Sequence, residues 1–307
     1  MKMIKIFGHK SPDTDSTGSP IIWAWYKKAI CGVQAQPKLL GEPNPEARFV
    51  LDYWQFDKPE IISQVSDTDQ LIIVDTNNPA ELPANVNEAK ILEIIDHHLL
   101  VGGLKTNTPL TITIRPLACT ATVMHELMGD AAKKMPDKIK GLMLSCILSD
   151  TLEFRSPTTT ELDKTVAQDL ALELKLDIPT YASKMFDAKS DVSEFTDQEL
   201  IRMDSKKFEL SDKKLRISVL ETTSPKAILG RKENLLDAMA KVVIEDDIDE
   251  VLLFIVDILE QESTLLVQNK FVHTIAKKSF GVEPSSDIVK LPGIVSRKKQ
   301  IIPNIKL

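Results

Sequence analysis

IKIFGHKSPDTDS, residues 4–16, is the stretch on which the reading of the chain turns. A short apolar run suited to a strand leads into a turn that holds one imidazole, His9, and two carboxylates, Asp13 and Asp15, with Pro12 opposing helix formation between them. The three side chains are expected on one tight loop, where they can converge. Taken alone, an Asp-rich turn is more often solvated and closed by an Asx hydrogen bond. Here, however, the pattern recurs: QLIIV (70–74) leads into Asp75, and ILEII (91–95) leads into Asp96, His97 and His98. KMIKIF (2–7), QLIIVD (70–75), ILEIID (91–96) and TITI (111–114) alternate with helical patterns such as residues 20–29, which predicts a parallel sheet covered by helices. Ligand sites in open α/β sheets collect beyond the carboxyl ends of the strands, so these polar clusters are expected to meet.

Further along, KGLMLSCILS (140–149) reads as an apolar helix that delivers Asp150 to its C-terminal end. A carboxylate there opposes the helix dipole and calls for a compensating partner. RSPTTTELDK (155–164) has turn and N-cap chemistry and predicts a helix over 161–174. The polar stretch DAKSDVSEFTDQE (187–199) marks a domain boundary. The reading is an α/β protein in two parts, a parallel-sheet domain over 1–189 and a smaller α/β or α+β domain over 190–307. Strands in the second are expected at LRISVLET (215–222), EVLLFIVDI (250–258) and STLLVQN (263–269), with a helix over 232–244. In GIVSRKKQIIP (293–303) the apolar flanks suggest a strand carrying Arg297 and Lys298 rather than a solvated basic tail.

A length of 307 residues exceeds what one core usually organises, which also argues for two domains. With 43% apolar and 27% charged residues the composition is that of a globular protein. The longest apolar run, 251–256, is far short of the roughly 20 residues of a spanning helix, and MKMIKIFGHK (1–10) lacks the apolar stretch of a signal peptide. A cytoplasmic protein without membrane association is expected. A net charge of -7 and 5% aromatic residues argue against a basic nucleic-acid surface and against base-stacking platforms. Cys31, Cys119 and Cys146 lack CxxC spacing and read as buried free thiols. His125 and His273 fall in helix-like contexts and read as surface or structural residues.

What remains is a set of two imidazoles and four carboxylates without a thiolate: His9, Asp13, Asp15, Asp75, His97 and Asp150. Such donors suit hard or borderline cations such as Mn²⁺, Mg²⁺ or Co²⁺, and they suffice for two metals, whose charge four aspartates would balance. Two divalent ions about 3.5–4 Å apart can activate a water and clamp a phosphoryl oxygen.

GHKSPDTDS (8–16), the Asp of LIIVD (71–75), IIDHH (94–98) and LSDTLEFRSPTTTELDK (148–164) together resemble the landmarks of the DHH phosphoesterase superfamily. Within it they are similar to the manganese-dependent, or family II, inorganic pyrophosphatases. LGEPNPEARFVL (40–51), MDSKKFEL (203–210) and GIVSRKKQIIP extend the likeness from about residue 4 to residue 303. The resemblance implies that His9 and Asp13 bind one metal, that Asp15, His97 and Asp150 bind the other, and that Asp75 bridges both. It further implies that His98, Lys206, Arg297 and Lys298 hold pyrophosphate in a cleft between the domains, Lys207 being the neighbour most easily mistaken for Lys206. Two Mn²⁺, with Co²⁺ or Mg²⁺ able to substitute, further Mg²⁺ or Mn²⁺ arriving with substrate, and a homodimer through the first domain belong to the same implication.

The alternative is a DHH-type exopolyphosphatase or oligonucleotide phosphodiesterase with the same metal core. DHH nucleases carry a glycine-rich, His-containing motif late in the second domain, whereas here only Gly230, Gly281 and Gly293 follow the boundary and SRKKQ stands near the end, which favours pyrophosphate. The chain also departs from the family pattern. Thr76-Asn77-Asn78 stand where His and Glu are usual, Leu99 where a basic residue is common, and Ala118-Cys119 where Gly-Ser or Gly-Cys is usual. These positions bear on the hydrogen bonds behind the ligands rather than on the ligands.

Overall fold

A computed structural model describes residues 3–210 and 212–307. Met1, part of the segment weighed as a signal peptide, and Lys2, also placed in the first strand, lie outside the described residues. The chain divides into two compact units, Met1–Ala188 and Lys189–Leu307. No helix of the described residues is long and apolar enough to cross a membrane.

The first unit runs β1 (Ile4–Phe7), α1 (Thr14–Ala29), β2 (Ala35–Pro37), α2 (Pro45–Tyr53), β3 (Gln70–Val74), β4 (Lys90–Asp96), β5 (Thr111–Ile114), α3 (Thr120–Met128), α4 (Asp137–Asp150), α5 (Glu161–Leu174) and α6 (Ile178–Lys189). Its sheet is ordered β2-β1-β3-β4-β5 with every pairing parallel. Alternation sends Phe7, Leu71 and Ile73 into one core with Leu82 and Ile91. Helix α1 packs on β1 and β3, and α3 on β4. The parallel arrangement aligns the C-terminal ends of β1, β3 and β4, just before His9, Asp75 and His97.

Helix α1 corrects the sequence reading. It starts at Thr14, six residues before the expected start, because Asp13 caps it by accepting the Ser16 N–H at 2.9 Å. Asp15 therefore lies in the first helical turn, not on the loop with His9. Pro20, taken as the helix start, sits inside the helix, where it removes one N–H donor and the helix still continues. Helix α4 ends on Asp150, followed by three successive left-handed residues, Leu152, Glu153 and Phe154, with φ of 48°, 53° and 70°. Left-handed backbone costs about 1–2 kcal/mol per non-glycine residue. Hydrogen bonds from Glu153 N–H to Leu148 O (3.0 Å) and from Ser156 N–H to Thr151 O (2.8 Å) close this turn. Helix α5 has the expected bounds, set by a capping box between Thr160 and Asp163.

The second unit comprises α7 (Asp197–Met203), β6 (Ser205–Leu210), β7 (Lys213–Thr222), α8 (Pro225–Leu229), α9 (Lys232–Glu245), β8 (Glu250–Asp257), β9 (Glu262–Leu266), α10 (Lys270–Phe280) and β10 (Ile288–Pro292). Its sheet is mixed, ordered β10-β9-β8-β7-β6, with β7 and β8 parallel and the other pairs antiparallel. β8 reads as an unbroken apolar run because both of its faces are covered. Val251, Leu253 and Ile255 pack with Leu235 and Met239 of α9, whereas Leu252, Phe254 and Val256 pack with Val272 and Ile275 of α10.

Two further expectations fail. Arg297–Ile301 is a single π-helical turn, not a strand, with Ser296 accepting the Lys299 N–H and Ile301 fully buried as its anchor. Cys119 and Cys146 are buried, but Cys31, just beyond the end of α1, is exposed.

Candidate metal centre

Gly8 directly follows β1 at a close approach to α1: a Cβ there would lie 2.0 Å from Ser16 Oγ and 2.9 Å from Ser16 O. That close approach lets the His9 N–H donate to Ser16 Oγ at 2.8 Å and sets the imidazole over the start of α1. His9 Nε2 lies 3.7 Å from Asp13 Oδ2 and 3.5 Å from Asp75 Oδ2. On the other side of Asp75, Oδ1 lies 3.5 Å from His97 Nε2. These separations are too long for good hydrogen bonds. Ring nitrogens and carboxylate oxygens converge here at 3.5–3.7 Å.

Asp75 is buried and left-handed, with φ 59°. Its N–H donates to Ile95 O at 2.9 Å, so β4 fixes the turn that aims this carboxylate between the two histidines. Asp15, equally buried, accepts Ser19 Oγ–H and the Thr120 N–H, both at 2.7 Å. Thr120 also donates its hydroxyl to Asp75 Oδ1 at 3.1 Å. The first residue of α3 thus orients two carboxylates. Asp150 Oδ2 is enclosed and has no hydrogen-bond partner among the described residues.

His97 Nδ1 lies 3.1 Å from Leu117 O; a carbonyl only accepts, so this nitrogen carries the proton and Nε2 presents its lone pair. His98 bonds through Nδ1 to Asp96 Oδ1 at 2.9 Å and is half exposed. Asp96 Oδ1 also accepts the N–H groups of His97 and His98, and its Oδ2 accepts from Asn77 Nδ2 at 2.6 Å. Burial would push the Asp96 carboxyl up, but these bonds hold it below its ordinary value. The bond to Asp96 is in turn the main cause that raises the His98 imidazole.

The neighbouring carboxylates move the opposite way. Burial first, then the charges of Asp15, Asp13 and Asp150, push Asp75 well above the usual carboxylate range. Burial, Asp15 and Asp13 do the same to Asp150. Carboxylates facing one another out of water are costly unless a cation stands among them. Three groups have donor atoms within 4.8 Å of one another: His9, Asp13 and Asp75; Asp15, His97 and Asp150; and Asp75, His97 and His98. Asp75 and His97 are each shared between two of them, so all seven residues form one cluster. The donor set and the enclosed Asp150 oxygen fit hard or borderline divalent cations.

The residues that depart from the family pattern make bonds of their own. Thr76 donates to Glu81 Oε2 at 2.6 Å. Asn78 caps a short 3₁₀ turn through Ala80 N–H. Asn77 ties Asp96 to the loop beyond His98, donating to Leu99 O at 3.0 Å and accepting the Val101 N–H at 2.8 Å. Ala118 N–H donates to Asp163, the capping carboxylate of α5, at 3.1 Å.

The expected cations lie in the second unit. Arg297 closes its fork on Asp204, through Nη1 to the carbonyl at 2.8 Å and Nη2 to Oδ1 at 2.7 Å. Two residues on, Lys206 and Lys207 separate by strand alternation. Lys207 donates to Asp246 O at 2.7 Å, whereas Lys206 is exposed and its ammonium has no hydrogen bond or ion pair among the described residues. Lys298, also exposed, follows Arg297 in the π-helical turn. The sequence reading missed Thr120 and Ser19, whose hydroxyl and backbone groups support the ligands, and gave Asn77 only as a departure that bears on such bonds. No local signal sets a supporting hydroxyl apart from a surface one.

Residues 3–149 match the N-terminal domain of the DHH family and residues 183–307 match the DHHA2 domain. The two units therefore form a DHH–DHHA2 chain. It is 36% identical over 304 residues to the manganese-dependent inorganic pyrophosphatase of Bacillus subtilis, covering 99% of this chain and 97% of that one. It is 37% identical over 305 residues to the probable manganese-dependent inorganic pyrophosphatase of Staphylococcus carnosus, covering 99% and 98%. Among solved structures, the putative family II inorganic pyrophosphatase of Methanococcus jannaschii matches at a TM-score of 0.62 and 32% identity, over 99% of this chain and 98% of that one. The chain belongs to the manganese-dependent inorganic pyrophosphatase family. An exopolyphosphatase-related protein from Bacteroides fragilis shares the fold at a TM-score of 0.52 and 13% identity, covering 98% and 89%.

Proposed function

We propose that this chain hydrolyses inorganic pyrophosphate to two phosphates at a dinuclear centre. His9 and Asp13 would hold one cation, Asp15, His97 and Asp150 the other, and Asp75 both. The observation that carries the reading is the Asp75 carboxylate, buried, left-handed, and turned with one oxygen toward His9 and the other toward His97. Manganese is the metal named for the relatives and suits the donors here, with Co²⁺ or Mg²⁺ able to substitute. When bound, two such cations supply Lewis-acid activation of water and neutralise phosphoryl oxygens.

The chain's own groups do the rest. Leu117 O fixes the His97 tautomer, and Thr120 holds Asp15 and Asp75 apart at set angles. His98, anchored by Asp96, offers its second ring nitrogen as a donor to an anion. Arg297 would exchange its fork on Asp204 for a bidentate grip on a phosphate, and Lys206 and Lys298 act as point charges. Residues 1–189 would thus serve as the metal-binding catalytic domain and 190–307 as the substrate-binding domain. A homodimer through the first domain is proposed from the resemblance, further Mg²⁺ or Mn²⁺ arriving with substrate from the charge that phosphoryl transfer must neutralise, and a cytoplasmic location from the apolar patterning of the sequence.

Phosphate release separates this reading from the polyphosphatase and nuclease alternatives. Pyrophosphate is expected to be cleaved about tenfold or more efficiently than tripolyphosphate or a dinucleotide, since a compact clamp leaves the extra groups of a longer anion unpaired. Exhaustive chelation should abolish turnover, and Mn²⁺ or Co²⁺ should restore it better than Zn²⁺. Comparable kcat/KM on a dinucleotide moves the chain to the nuclease branch, and full activity in excess chelator rules out the metal mechanism.

A further inference from the structure

We propose that Glu46 is a positioning residue that sets the spacing between the two ends of the metal centre, an inference that rests on the dinuclear reading above. Glu46 lies in the first turn of α2 and is fully enclosed. Its Oε1 accepts the Thr14 hydroxyl at 2.5 Å and also the Ser149 hydroxyl. Thr14 stands between Asp13 and Asp15, and Ser149 directly precedes Asp150. One carboxylate oxygen therefore joins the start of α1 to the end of α4, where three of the six proposed ligands sit.

The segment leading to Glu46 is fitted to the same loop. A Cβ on Gly41 would fall 2.4 Å from Lys10 O, and the Asn44 N–H donates to Pro12 O at 2.9 Å while its side chain caps α2. If α2 only filled space, an apolar residue at 46 would do so without the cost of burying a carboxylate. A buried acceptor taking two hydroxyls instead fixes a distance, because hydrogen bonds have a narrow length range and apolar contacts do not. The two metal groups depend on this strut unequally. Both carboxylates of the Asp15, His97 and Asp150 group adjoin residues bonded to Glu46, whereas the His9, Asp13 and Asp75 group is reached only through Thr14 beside Asp13.

The test is calorimetric titration of the metal-stripped full chain with Mn²⁺, with the thermal midpoint of each metal-free variant recorded alongside. Glu46→Ala is expected to weaken one of the two sites by about 10–100-fold, the usual effect of losing a group that orients a ligand, and the other by much less. Ser149→Ala removes one hydroxyl without emptying the buried position and should weaken the same site by a smaller factor. Glu46→Gln keeps an accepting oxygen and should restore both affinities to near wild type. A purely structural role would lower the thermal midpoint and leave the Mn²⁺ affinities of the folded variants alone. Unchanged affinities in Ser149→Ala and Glu46→Ala, or equal losses at both sites, overturn the proposal. Should Glu46→Ala fail to fold, Ser149→Ala and Glu46→Gln decide it on the same criteria. A wild-type chain that takes up no Mn²⁺ brings down the dinuclear reading itself, whereas normal wild-type uptake with indifferent variants removes the strut alone.

Discussion

In the first unit Asp15, Asp75 and Asp96 are each at most 1% exposed, and burial together with the charges of Asp15 and Asp13 pushes Asp75 and Asp150 well above the usual carboxylate range. In the second unit, the buried charged groups have complementary partners: Arg216 pairs with Asp246, and Glu250 accepts from Gln268 and Asn269. Its proposed substrate cations, Lys206 and Lys298, are exposed. The first unit thus buries like charges together at the proposed centre, an arrangement that divalent cations among them would relieve. The second keeps its buried charges paired or hydrogen-bonded and its spare positive charge at the surface, where water solvates it until an anion arrives. A charge deleted from the first unit should therefore act on metal binding, and one deleted from the second should act on the substrate alone.

The strongest way to break this contrast is at Asp75. Asp75→Ala should weaken both metal sites and abolish measurable turnover, while Asp13→Ala should mainly weaken one site. Calorimetry that finds two unaffected sites in Asp75→Ala contradicts the shared role. Next comes Lys298→Ala, expected to lose about 2–4 kcal/mol of transition-state stabilisation, the range for one preorganised charge donor. Its Mn²⁺ affinity should not change, and a variant that fails by losing metal would erase the distinction between the units. The smallest effects compare two neighbours. Lys206→Ala should raise KM by about tenfold or more, as for a lost charge-assisted hydrogen bond. Lys207→Ala should stay within about twofold, because its ammonium is already committed to a surface carbonyl and exposed contacts contribute little. Kinetics showing the reverse order would reassign the substrate lysine.

Much of the first unit was legible in its chain because parallel strands with both faces covered are dense in apolar residues and stop abruptly. Asp75 and His97 each follow such a stop, and Asp150 ends an apolar helix as expected. Proline misled the reading of α1. A prolyl residue usually marks a helix start or break, but the Asp13 cap holds the first turn well enough for Pro20 to fall within the helix. The Arg297 turn was misread for a related reason. Its apolar neighbours suggested β structure, yet Ile301 alone is the buried anchor, and one anchored residue suits a helical turn as well as a strand. Glu46 and Thr120 could not be picked out because their significance lies in hydrogen bonds to residues 32 or more positions away.

The position of Asp150 at the far end of α4 also has a consequence in time. The proposed ligands begin at residue 9 and are complete only at residue 150, so a growing chain offers an imidazole and two aspartates early and the closing carboxylate late. At about 5–20 residues per second of synthesis, that interval is on the order of 10–30 s. During it β1, β3 and β4 can pair, but no cation can meet the full donor set. Loading of the proposed Asp15, His97 and Asp150 site would therefore follow the synthesis of α4, whereas the proposed His9, Asp13 and Asp75 ligands are all present once residue 75 is made.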